Sequence, residues 1–426
     1  MKVLIVGSGG REHALAWKIA QSPLLTKLIA APGSAGISQF AECVAIKVED
    51  IEALAAFARR EAVDLTVVGP ESPLAAGIVD RFEGEGLKIF GPSREAAQLE
   101  SSKAFAKNRM NQFGIPTAKH EVFFNINEAK HYVVEAELPL VIKADGLAAG
   151  KGVVICRTSQ EAVEALNSMM SEHAFGDAGN KVVVEECLEG EEFSVLALTD
   201  GEKILPLASA QDHKRAYDYD RGPNTGGMGA YSPCPQISEE RFQEIVQAVI
   251  RPMVDGLRKS GIIYRGILYA GVMMTKEGPY VLEYNARFGD PETQAILPRL
   301  KSDLLKLMIE VAHHHLETAA LEWHDKSCLT VVLASGGYPV HYKKNIPITG
   351  LEAAQAVGST FIFHAGTAKD SAGKWRSDGG RVLAVSGLGE NLKAAYDHAY
   401  QALSKIHLDG SFYRRDIGKR ALEVYR

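Results

Sequence analysis

The sequence predicts a multidomain protein of mixed α/β and α+β class, with an N-terminal doubly wound parallel α/β domain, an α+β core and a small C-terminal α/β domain. Its 426 residues are enough for about three domains of ordinary size. Short apolar strands alternate with helices up to about residue 100, which is typical of a parallel sheet. The pattern changes there and again near residue 326, so we expect domains at 1–100, 101–325 and 326–426.

The first domain opens with an apolar run, residues 2–6 (KVLIV), which ends in the glycine turn GSGG and is followed by a helical pattern. Buried strands are predicted at 28–31, 65–68 and 87–90, because each is a short apolar run that ends at glycine or proline. Residues 51–60 have the apolar spacing of an amphipathic helix.

The central domain is predicted to contain a compact α+β insert. After a helix at 99–118 that ends in the turn FGIP, we expect strands at 122–124, 140–143, 152–156, 181–186 and 193–199, with helices at about 127–136 and 159–172. The polar, glycine-rich sequence from 211 to 233 is too long for an ordinary loop, which indicates a function.

A predicted helix at about 238–260, a hairpin at about 266–284 and helical sequence to about 316 complete the central domain. In the last domain, CLTVVLAS and RVLAVSGLG are predicted strands and residues 391–407 a helix.

Composition excludes several classes of protein. The net charge of −6, without any Lys/Arg block, argues against a nucleic-acid coat, which needs clustered positive charge. No stretch approaches the roughly 20 apolar residues of a membrane span, and the N-terminus lacks the apolar core of a signal peptide. The five cysteines are scattered and form no CxxC pair, which fits a reducing cytoplasm.

The first glycine turn, residues 7–10, lies between a strand and a helix, where backbone N–H groups favour an anion. A dinucleotide fingerprint needs a third glycine, and that position is Glu12, which speaks against a NAD oxidoreductase. The turn therefore predicts a phosphate site, with a purely structural strand–helix turn as the alternative.

A second glycine loop, residues 146–152 (GLAAGKG), connects strand to strand and lacks the spacing of a Walker P-loop. Such a loop can fold over a triphosphate and exclude water, with Lys143 contacting a phosphate. The alternative is a plain β-turn with a solvated lysine. Further on, residues 186–188 (ECL) form a link between two lobes that could bind adenine, although acidic turns are more often only solvated.

Two polar segments follow. Residues 209–233 bring together Asp212, Lys214, Thr225 and four glycines, a composition suited to binding a phosphate or carboxylate rather than to a core. Glu283 and Asn285 lie two apart on a strand, so both face one side and offer the hard oxygen donors that Mg²⁺ prefers. Arg287 shares that side and could hold a substrate carboxylate. Each segment could also be ordinary solvated surface.

Three adjacent histidines, 313–315, do not indicate zinc, because neighbouring residues on a helix point in different directions.

Taken in order, GSGGREHA, VGPE, GPS, SKAFAK, IKADGLAAGKGVV, QDHKR, GPNTGGMGAYSP and RFGDPETQ resemble the phosphoribosylamine–glycine ligase (glycinamide ribonucleotide synthetase) family, which carries the ATP-grasp fold. The resemblance extends over essentially the whole chain, through FHAGT and GGRVL to the terminal RRDIG. The glycine loop alone would indicate only ATP-grasp. QDHKR, GPNTGGMGAYSP and RFGDPETQ together are more specific, and related enzymes such as biotin carboxylase are not expected to carry them.

The resemblance implies an ATP-grasp core in which a mobile lid lobe, at about 120–190, closes over ATP. It implies a reaction in which phosphoribosylamine, glycine and ATP give glycinamide ribonucleotide, ADP and phosphate, an early step of purine synthesis that passes through glycyl phosphate. The cofactors would be ATP and Mg²⁺, with Mn²⁺ as a second possibility, and the substrates glycine and 5-phosphoribosylamine. We expect a cytoplasmic monomer that binds neither nucleic acid nor membrane.

The resemblance also implies residue roles, which we carry over by motif. The groups expected to bind ATP are Lys103, Lys143, Gly146, Gly150, Lys151, Gly152, Glu186, Leu188 and Glu192. Glu283 and Asn285 would hold the metal. Arg287, Asp212 and Lys214 would serve glycine and the acyl phosphate. The remaining substrate contacts would be Gly9, Gly10, Thr225, Gly226, Gly227, Met228, Gly229, Pro291 and Glu292.

Two other functions stay open from sequence. One is another ATP-grasp carboxylate–amine ligase, which the 209–233 segment disfavours. The other is a non-catalytic nucleotide sensor, which the presence of Lys143, Glu283 and Asn285 disfavours.

Overall fold

A computed structural model describes residues 1–148, 152–172 and 176–424. Its first part is a five-stranded parallel sheet in the order β3-β2-β1-β4-β5. The strands are β1 (Lys2–Gly7), β2 (Lys27–Pro32), β3 (Glu42–Cys43), β4 (Leu65–Val68) and β5 (Ile89–Phe90), and the helices are α1 (Gly10–Ile19), α2 (Ile51–Arg60), α3 (Glu71–Ala76) and α4 (Ile78–Glu83). This arrangement confirms the predicted parallel α/β fold.

The apolar strands of this sheet are buried on both faces. Val3 and Ile5 pack into one hydrophobic cluster and Leu4 and Val6 into another, so an uninterrupted apolar run is what such a strand needs. The limits predicted for α2 and β4 match those observed. At α2 the reason is local, because the Asp50 side chain accepts a hydrogen bond from the Ala53 N–H and caps the helix.

The next part contains α5 (Gln98–Ser101), α6 (Lys103–Gln112), β6 (His120–Phe123), α7 (Ile126–Glu135), β7 (Leu140–Ala144), β8 (Val153–Cys156), α8 (Ser159–Leu166) and β9 (Val182–Glu186). Its four strands pair antiparallel in the order β6-β9-β7-β8. The lid lobe therefore has a sheet of its own, covered by α7 and α8.

The prediction of one helix over 99–118 is wrong in its extent. Ser102 is extended and interrupts the helix, and its hydroxyl caps α6 by accepting from the Phe105 N–H. Gly114 adopts a positive φ of 67°, which ends the second helix, and Thr117 already pairs with Val281 in an extended conformation.

The rest of the central domain comprises β10 (Glu191–Thr199), β11 (Ile204–Pro206), β12 (Gln211–Asp212), β13 (Arg215–Tyr217), β14 (Arg221–Asn224), β15 (Gly229–Ser232), α9 (Glu239–Val249), α10 (Arg251–Lys259), β16 (Gly266–Thr275), β17 (Gly278–Asn285), α11 (Glu292–Ile296) and α12 (Leu304–Ala312). A second sheet has the order β11-β10-β16-β17. The predicted strand 193–199 thus belongs to this sheet and not to the insert, because β10 pairs with β16 along its whole length.

Two further predictions need correction. Residues 211–232, which we call the cleft hairpin, form two nested strand pairs, β12 with β15 and β13 with β14, instead of a loop. The predicted helix 238–260 is two helices, since Pro252 in the first turn of α10 has no N–H to continue the hydrogen bonds of α9.

The last part consists of β18 (Ser327–Ala334), β19 (Ile348–Thr349), α13 (Leu351–Gln355), β20 (Thr360–His364), β21 (Thr367–Lys369), β22 (Trp375–Ser377), β23 (Arg381–Gly389), α14 (Leu392–Leu403), β24 (His407–Leu408) and α15 (Lys419–Val424). Its main sheet has the order β12-β15-β18-β23-β20, so two strands of the cleft hairpin complete it. The predicted helix 391–407 ends at Leu403, because His407 and Leu408 pair with β19 instead.

Within the described ranges, we find no helix whose length and apolar character would let it cross a membrane.

Candidate active site

A cleft of about 660 Å³ lies where the first domain, the lid lobe, the second sheet and the last domain meet. The structure brings most of the predicted site residues to its walls, namely Lys103, Lys143, Gly146, Gly152, Glu186, Leu188, Glu192, Asp212, Lys214, Thr225, Gly226, Glu283, Asn285, Arg287 and Glu292. Six others do not line the cleft: Gly9, Gly10, Gly227, Met228, Gly229 and Pro291. Gly150 and Lys151 lie outside the described residues.

Two lysines in the cleft share one buried carboxylate. Lys143, near the end of β7, places its Nζ 2.9 Å from Glu185 Oε2, and Lys107 of α6 places its Nζ 2.9 Å from the same oxygen. Burial alone would raise the pKa of Glu185, but the two ammonium groups hold it below its ordinary value. Sequence reasoning found Lys143 and missed both Lys107 and Glu185, which become neighbours only when α6 packs on β9.

Lys107 is the titratable member of this cluster. Burial is the main influence on its side chain and lowers the pKa of Lys107 to about 8. Because the unfolded chain still holds this proton up to its ordinary pKa of 10.5, burial of Lys107 opposes folding most below pH 8. That opposition declines as the pH rises from about 8 to 10.5.

Because the sequence leads us to expect that Lys143 contacts an ATP phosphate, the cluster predicts a pH dependence of ATP binding. Above about pH 8, Lys107 loses its charge, and Lys143 becomes the main counter-ion of Glu185 and is less available to a phosphate. The KM for ATP should therefore rise about tenfold between pH 7 and 9, a change of the size of one charged hydrogen bond. Lys107→Met should show the raised KM already at pH 7 and no further rise near pH 8. An unaltered pH profile in Lys107→Met, measured by ADP release, would contradict the assignment.

The base of the second glycine loop is fixed to the start of α6. Lys103 Nζ donates to the Gly146 carbonyl at 3.0 Å, and the buried Asp145 carboxylate accepts from the Ala104 N–H at 2.6 Å. Asp145 also forms an ion pair with Lys181 at 2.7 Å. Lys103 thus contacts Gly146, the first residue of the loop, and its pKa is lowered mainly by burial.

The opposite wall is built by β17, where side chains alternate between core and cleft. Tyr284 points into the core, whereas Glu283 and Asn285 line the cleft, as the two-residue spacing predicts. Lys214 Nζ lies 2.5 Å from Glu192 Oε1 and 3.1 Å from Glu283 Oε1, so it bridges β10 and β17. The nearby Lys214 ammonium is the main reason why the pKa of Glu283 falls to about 2.

Arg287 follows β17 and is already engaged by protein carboxylates. Its guanidinium lies 2.9 Å from Glu100 Oε1 and 3.3 Å from Glu71 Oε2. Sequence reasoning did not identify either acid. The site that the sequence predicts for a substrate carboxylate is therefore occupied by two side chains of the first domain and of α5.

The cleft hairpin meets α11 at a glycine that has no room for a side chain. Gly227 has φ +105°, and a Cβ there would lie 2.4 Å from Pro291 Cδ and 2.8 Å from Asp212 Oδ1. Burial raises the pKa of the Asp212 carboxyl, and the neighbouring Glu292 adds to the effect. Glu292 itself accepts a hydrogen bond from the Ser194 hydroxyl at 2.9 Å. Gly227 and Pro291 thus lie behind the cleft wall, where they hold Asp212 in place.

Met228 and Gly229 are fully buried where the cleft hairpin joins the last sheet. Met228 N–H donates to the His213 carbonyl, and its own carbonyl accepts from the Val332 N–H. Their position fits a supporting role behind the wall.

The last domain contributes an arginine that sequence reasoning did not single out. Arg381 Nη2 lies 2.7 Å from Asp290 Oδ2, and Nη1 donates to the carbonyls of Asp290 at 2.9 Å and Gly226 at 2.5 Å. The motif GGRVL contains this residue and was the available signal. Arg381 thereby ties the last domain to the two polar segments of the cleft.

The first glycine turn already contains an anion, which is the carboxylate of Glu12. Gly9 N–H donates to Glu12 Oε2 at 2.7 Å, and a Cβ at Gly69 would lie 2.2 Å from Glu12 Oε1. Arg11 pairs with the same carboxylate at 2.6 Å and lines the cleft. The Glu12 side chain of α1 thus occupies the glycine turn, and the Gly9 N–H is already hydrogen-bonded to it.

A metal would have to be held jointly by this chain and a ligand. Within the described residues there is no group of three or more His, Cys, Asp or Glu side chains arranged to hold an ion. Glu283 is ionised over the whole working pH range and Asn285 adds an amide oxygen beside it. Two hard oxygen donors fit Mg²⁺, which usually takes its other ligands from phosphates and water.

Comparison with known proteins covers the whole chain. The family models of phosphoribosylglycinamide synthetase match residues 1–100 (N domain), 101–293 (ATP-grasp (A) domain) and 328–420 (C domain). A phosphoribosylamine–glycine ligase of Halalkalibacterium halodurans is 50% identical over 422 residues, which are 99% of this chain and 97% of the relative.

Solved structures agree with this match. The crystal structure of phosphoribosylamine–glycine ligase from Thermotoga maritima has a TM-score of 0.85 and 34% identity, covering 98% of this chain and 100% of the other. The biotin carboxylase domain of 2-oxoglutarate carboxylase from Hydrogenobacter thermophilus, with bound MgADP and bicarbonate, has a TM-score of 0.75 at 15% identity, covering 100% and 98%. At that identity the second likeness shows the fold alone.

Proposed function

The chain belongs to the phosphoribosylglycinamide synthetase family, and we propose from this premise how its cleft performs the family's reaction. The protein is an ATP-dependent ligase that joins glycine to 5-phosphoribosylamine in de novo purine biosynthesis. The sequence prediction of family, fold and activity is confirmed. The roles of individual residues are our proposal.

Two steps account for the products. A carboxylate oxygen of glycine attacks the γ-phosphorus of ATP, and ADP leaves, so that glycyl phosphate forms. The amine of 5-phosphoribosylamine then attacks the acyl carbon and loses a proton, and phosphate leaves as the amide bond forms. The chain needs no covalent nucleophile for either step; it orients the reactants and stabilises the charge that shifts between them.

The observation that carries the residue assignment is the position of Lys143. Its Nζ donates to the carbonyl of Leu282 at 3.1 Å, and Leu282 immediately precedes Glu283. The lysine assigned to the ATP phosphates thus lies against the strand assigned to the metal. A triphosphate bound by Lys103 and Lys143 would therefore lie beside the oxygen ligands of Glu283 and Asn285.

Glu283 and Asn285 are the residues that would hold Mg²⁺, and Mn²⁺ is the alternative ion. A divalent ion bound with the phosphates offsets their negative charge while the γ-phosphoryl group is transferred. Lys214, between Glu192 and Glu283, is placed to meet the glycine carboxylate and the acyl phosphate beside this site. Asp212 lines the same wall of the cleft. Arg287 offsets the negative charge of the two carboxylates with which it pairs, Glu71 and Glu100.

We assign the nucleoside end of ATP to the link between β9 and β10. Glu186 and Leu188 line the cleft there, and Glu186 holds the lobe boundary by accepting from the Lys119 N–H at 2.8 Å. Glu192 is proposed to bind the ribose hydroxyls. Its carboxylate already forms an ion pair with Lys214, so it would have to make both interactions at once. We assign 5-phosphoribosylamine to the first domain's side of the cleft, where Arg11 of α1 and Glu292 of α11 both line the wall.

The experiment that tests the assignment is phosphate release measured with Mg²⁺, ATP, glycine and freshly made 5-phosphoribosylamine, each omitted in turn. Release should require all of them. Release with a different amino acid would indicate another carboxylate–amine ligase on the same fold. ATP binding without release under every condition would support a nucleotide sensor.

We also propose that the lid lobe closes over ATP. Its sheet is separate from the rest, and Lys103 and Asp145 connect the start of α6 to the base of the glycine loop. Addition of ATP and Mg²⁺ should slow amide hydrogen exchange across 146–152 by about tenfold or more, because closure removes the loop from solvent. Exchange across α14, which is remote from the cleft, serves as the internal control. Equal exchange with and without ATP would rule closure out.

For the cellular setting we propose a cytoplasmic monomer without nucleic-acid or membrane partners. The five cysteines are all free thiols, and the chain has a net charge of −6. Sedimentation at micromolar concentration tests the monomer, and a species of twice the chain mass would exclude it.

A further inference from the structure

The tip of the cleft hairpin packs against the segment that follows the last sheet. This tip, residues 218–220, connects β13 to β14, and the segment that it meets is 414–416. The two are joined by side chains and backbone across 194 to 197 positions of sequence.

The backbone of the tip has a conformation that is unfavourable without contacts from other residues. Tyr219 and Asp220 have φ values of +59° and +52°, in the left-handed region that non-glycine residues rarely adopt. Each such residue raises the free energy of the folded backbone and persists only where surrounding contacts determine its conformation. Tyr219 is largely exposed, so its own side chain provides little of that support.

The contacts that determine the tip come from segment 414–416 and from Arg420, whose guanidinium also pairs with Asp220. Asp416 Oδ2 accepts from the Tyr219 N–H at 2.8 Å, and the Arg415 N–H donates to Asp218 Oδ1 at 2.7 Å. The Arg414 side chain is 1% exposed and lies between Asp220 Oδ1 and Asp416, at 2.8 Å from each. These carboxylates keep the pKa of Arg414 above its ordinary value despite burial, so the Arg414 guanidinium is charged at any working pH.

Segment 414–416 is itself held by α14. Tyr400 OH donates to the Arg414 carbonyl at 2.7 Å, and Tyr396 OH donates to the Arg415 carbonyl at 3.2 Å. The hairpin tip is therefore tied to a long packed helix of the last domain and not to another mobile loop.

Hydrogen bonds along the hairpin also restrain the backbone at Lys214. Arg414 Nη1 also donates to the Arg215 carbonyl at 3.2 Å, one residue from Lys214. On the other side, Thr225 holds the Lys214 carbonyl through its N–H at 2.8 Å and its hydroxyl at 2.9 Å. From this fixed backbone the Lys214 ammonium reaches Glu192 and Glu283.

We propose that Arg414–Asp416 is a clamp whose function is to position Lys214, and that Arg414 is a positioning residue for the ligation reaction. This inference rests on the proposed role of Lys214 toward the glycine carboxylate. Loss of the clamp frees the tip, lets the Lys214 backbone shift and weakens its hold on a carboxylate beside Glu283, while the ATP-binding lysines on α6 and β7 keep their places.

Arg414→Met in the full chain tests the clamp, because it keeps most of the unbranched stem of the side chain and removes the guanidinium group with its charge. Hydrogen exchange in peptides covering 213–225 should accelerate by about tenfold or more. The KM for glycine should rise about tenfold, and the KM for ATP should stay within about twofold, since misplacement affects only the group that moves. Arg414→Lys should recover part of both effects. The matched control is Arg376→Met, which breaks a half-buried arginine–aspartate pair at 2.9 Å elsewhere in the same domain.

The outcomes separate the clamp from the role of Lys214. Unchanged exchange across 213–225 in Arg414→Met, or equal acceleration in Arg376→Met, would overturn the clamp. Faster exchange with an unchanged KM for glycine would uphold the clamp and remove Lys214 from the glycine site. If Arg414→Met does not fold, Asp416→Asn takes its place; it leaves the Arg414–Asp220 pair and should give the same changes at smaller amplitude.

Discussion

Replacing Glu283 with glutamine is expected to lower kcat by about 10²–10³-fold, the usual loss when one group that stabilises transferring charge is removed. The amide keeps the shape of the side chain and loses the negative charge that a divalent ion requires. It also leaves Lys214 with a single carboxylate partner, Glu192. Because the pKa of Glu283 is about 2, the charge is present at every working pH, and the deficit should not vary between pH 6 and 9.

The measurement is steady-state ADP release with all substrates at varied Mg²⁺ concentration. The control is Glu277→Gln, which changes an exposed glutamate in the turn between β16 and β17 and should leave kcat unaltered. Direct titration with ATP should show that the variant still binds the nucleotide through its lysines. A kcat within tenfold of the parent would show that Glu283 is not a metal ligand.

The second large effect is expected for Gly227→Ala. The residue has φ +105°, so any Cβ is strained there, and this one would also overlap Pro291 and the Asp212 carboxylate. Overpacking of this kind destabilises by about 1–3 kcal/mol, and the left-handed backbone adds about 1 kcal/mol. Movement of Asp212 and α11 by about 1 Å should reduce kcat/KM about 100-fold.

Gly261→Ala separates strain from overlap. Gly261 has φ +84°, and a Cβ there would meet nothing within 4 Å. It should therefore show only the backbone part of the destabilisation, with normal kcat/KM. Thermal unfolding and ADP release on both variants provide the comparison. Equal destabilisation and equal activity in the two variants would mean that the space at Gly227 has no role in the site.

The sequence predicted best where a single segment determines its own structure. Residues 51–60 and 65–68 were found with their observed limits, because the apolar spacing of an amphipathic helix and a short apolar run that ends at glycine are local signals. The cleft hairpin was predicted as a loop, since its strands are short and mostly polar and they pair because the last domain supplies β18. That contact lies about a hundred residues further along the chain.

The site residues show the same division. Glu283, Asn285 and Lys143 were identified because motif and spacing place them, whereas Glu185 and Lys107 were missed although they form one cluster with Lys143. A buried ion pair leaves no local trace in sequence, because either partner alone has the appearance of a solvated charge. Arg414 escaped for the same reason, as its partner Asp220 is 194 residues away.

The sheet shared by β12, β15 and β18 has a consequence for the order in which the protein becomes competent during synthesis. The ATP-grasp half leaves the ribosome first, but its strand β15 gains its second partner only when β18 has been made. The tip of the hairpin gains its contact with Arg414 later still, because Arg414 is translated 194 residues after Asp220. At about 5–20 residues per second this delay is roughly 10–40 s. During that interval a nascent chain already contains the lysines that we assign to ATP but not the finished site that we assign to glycine, so nucleotide binding should precede ligase activity on the ribosome.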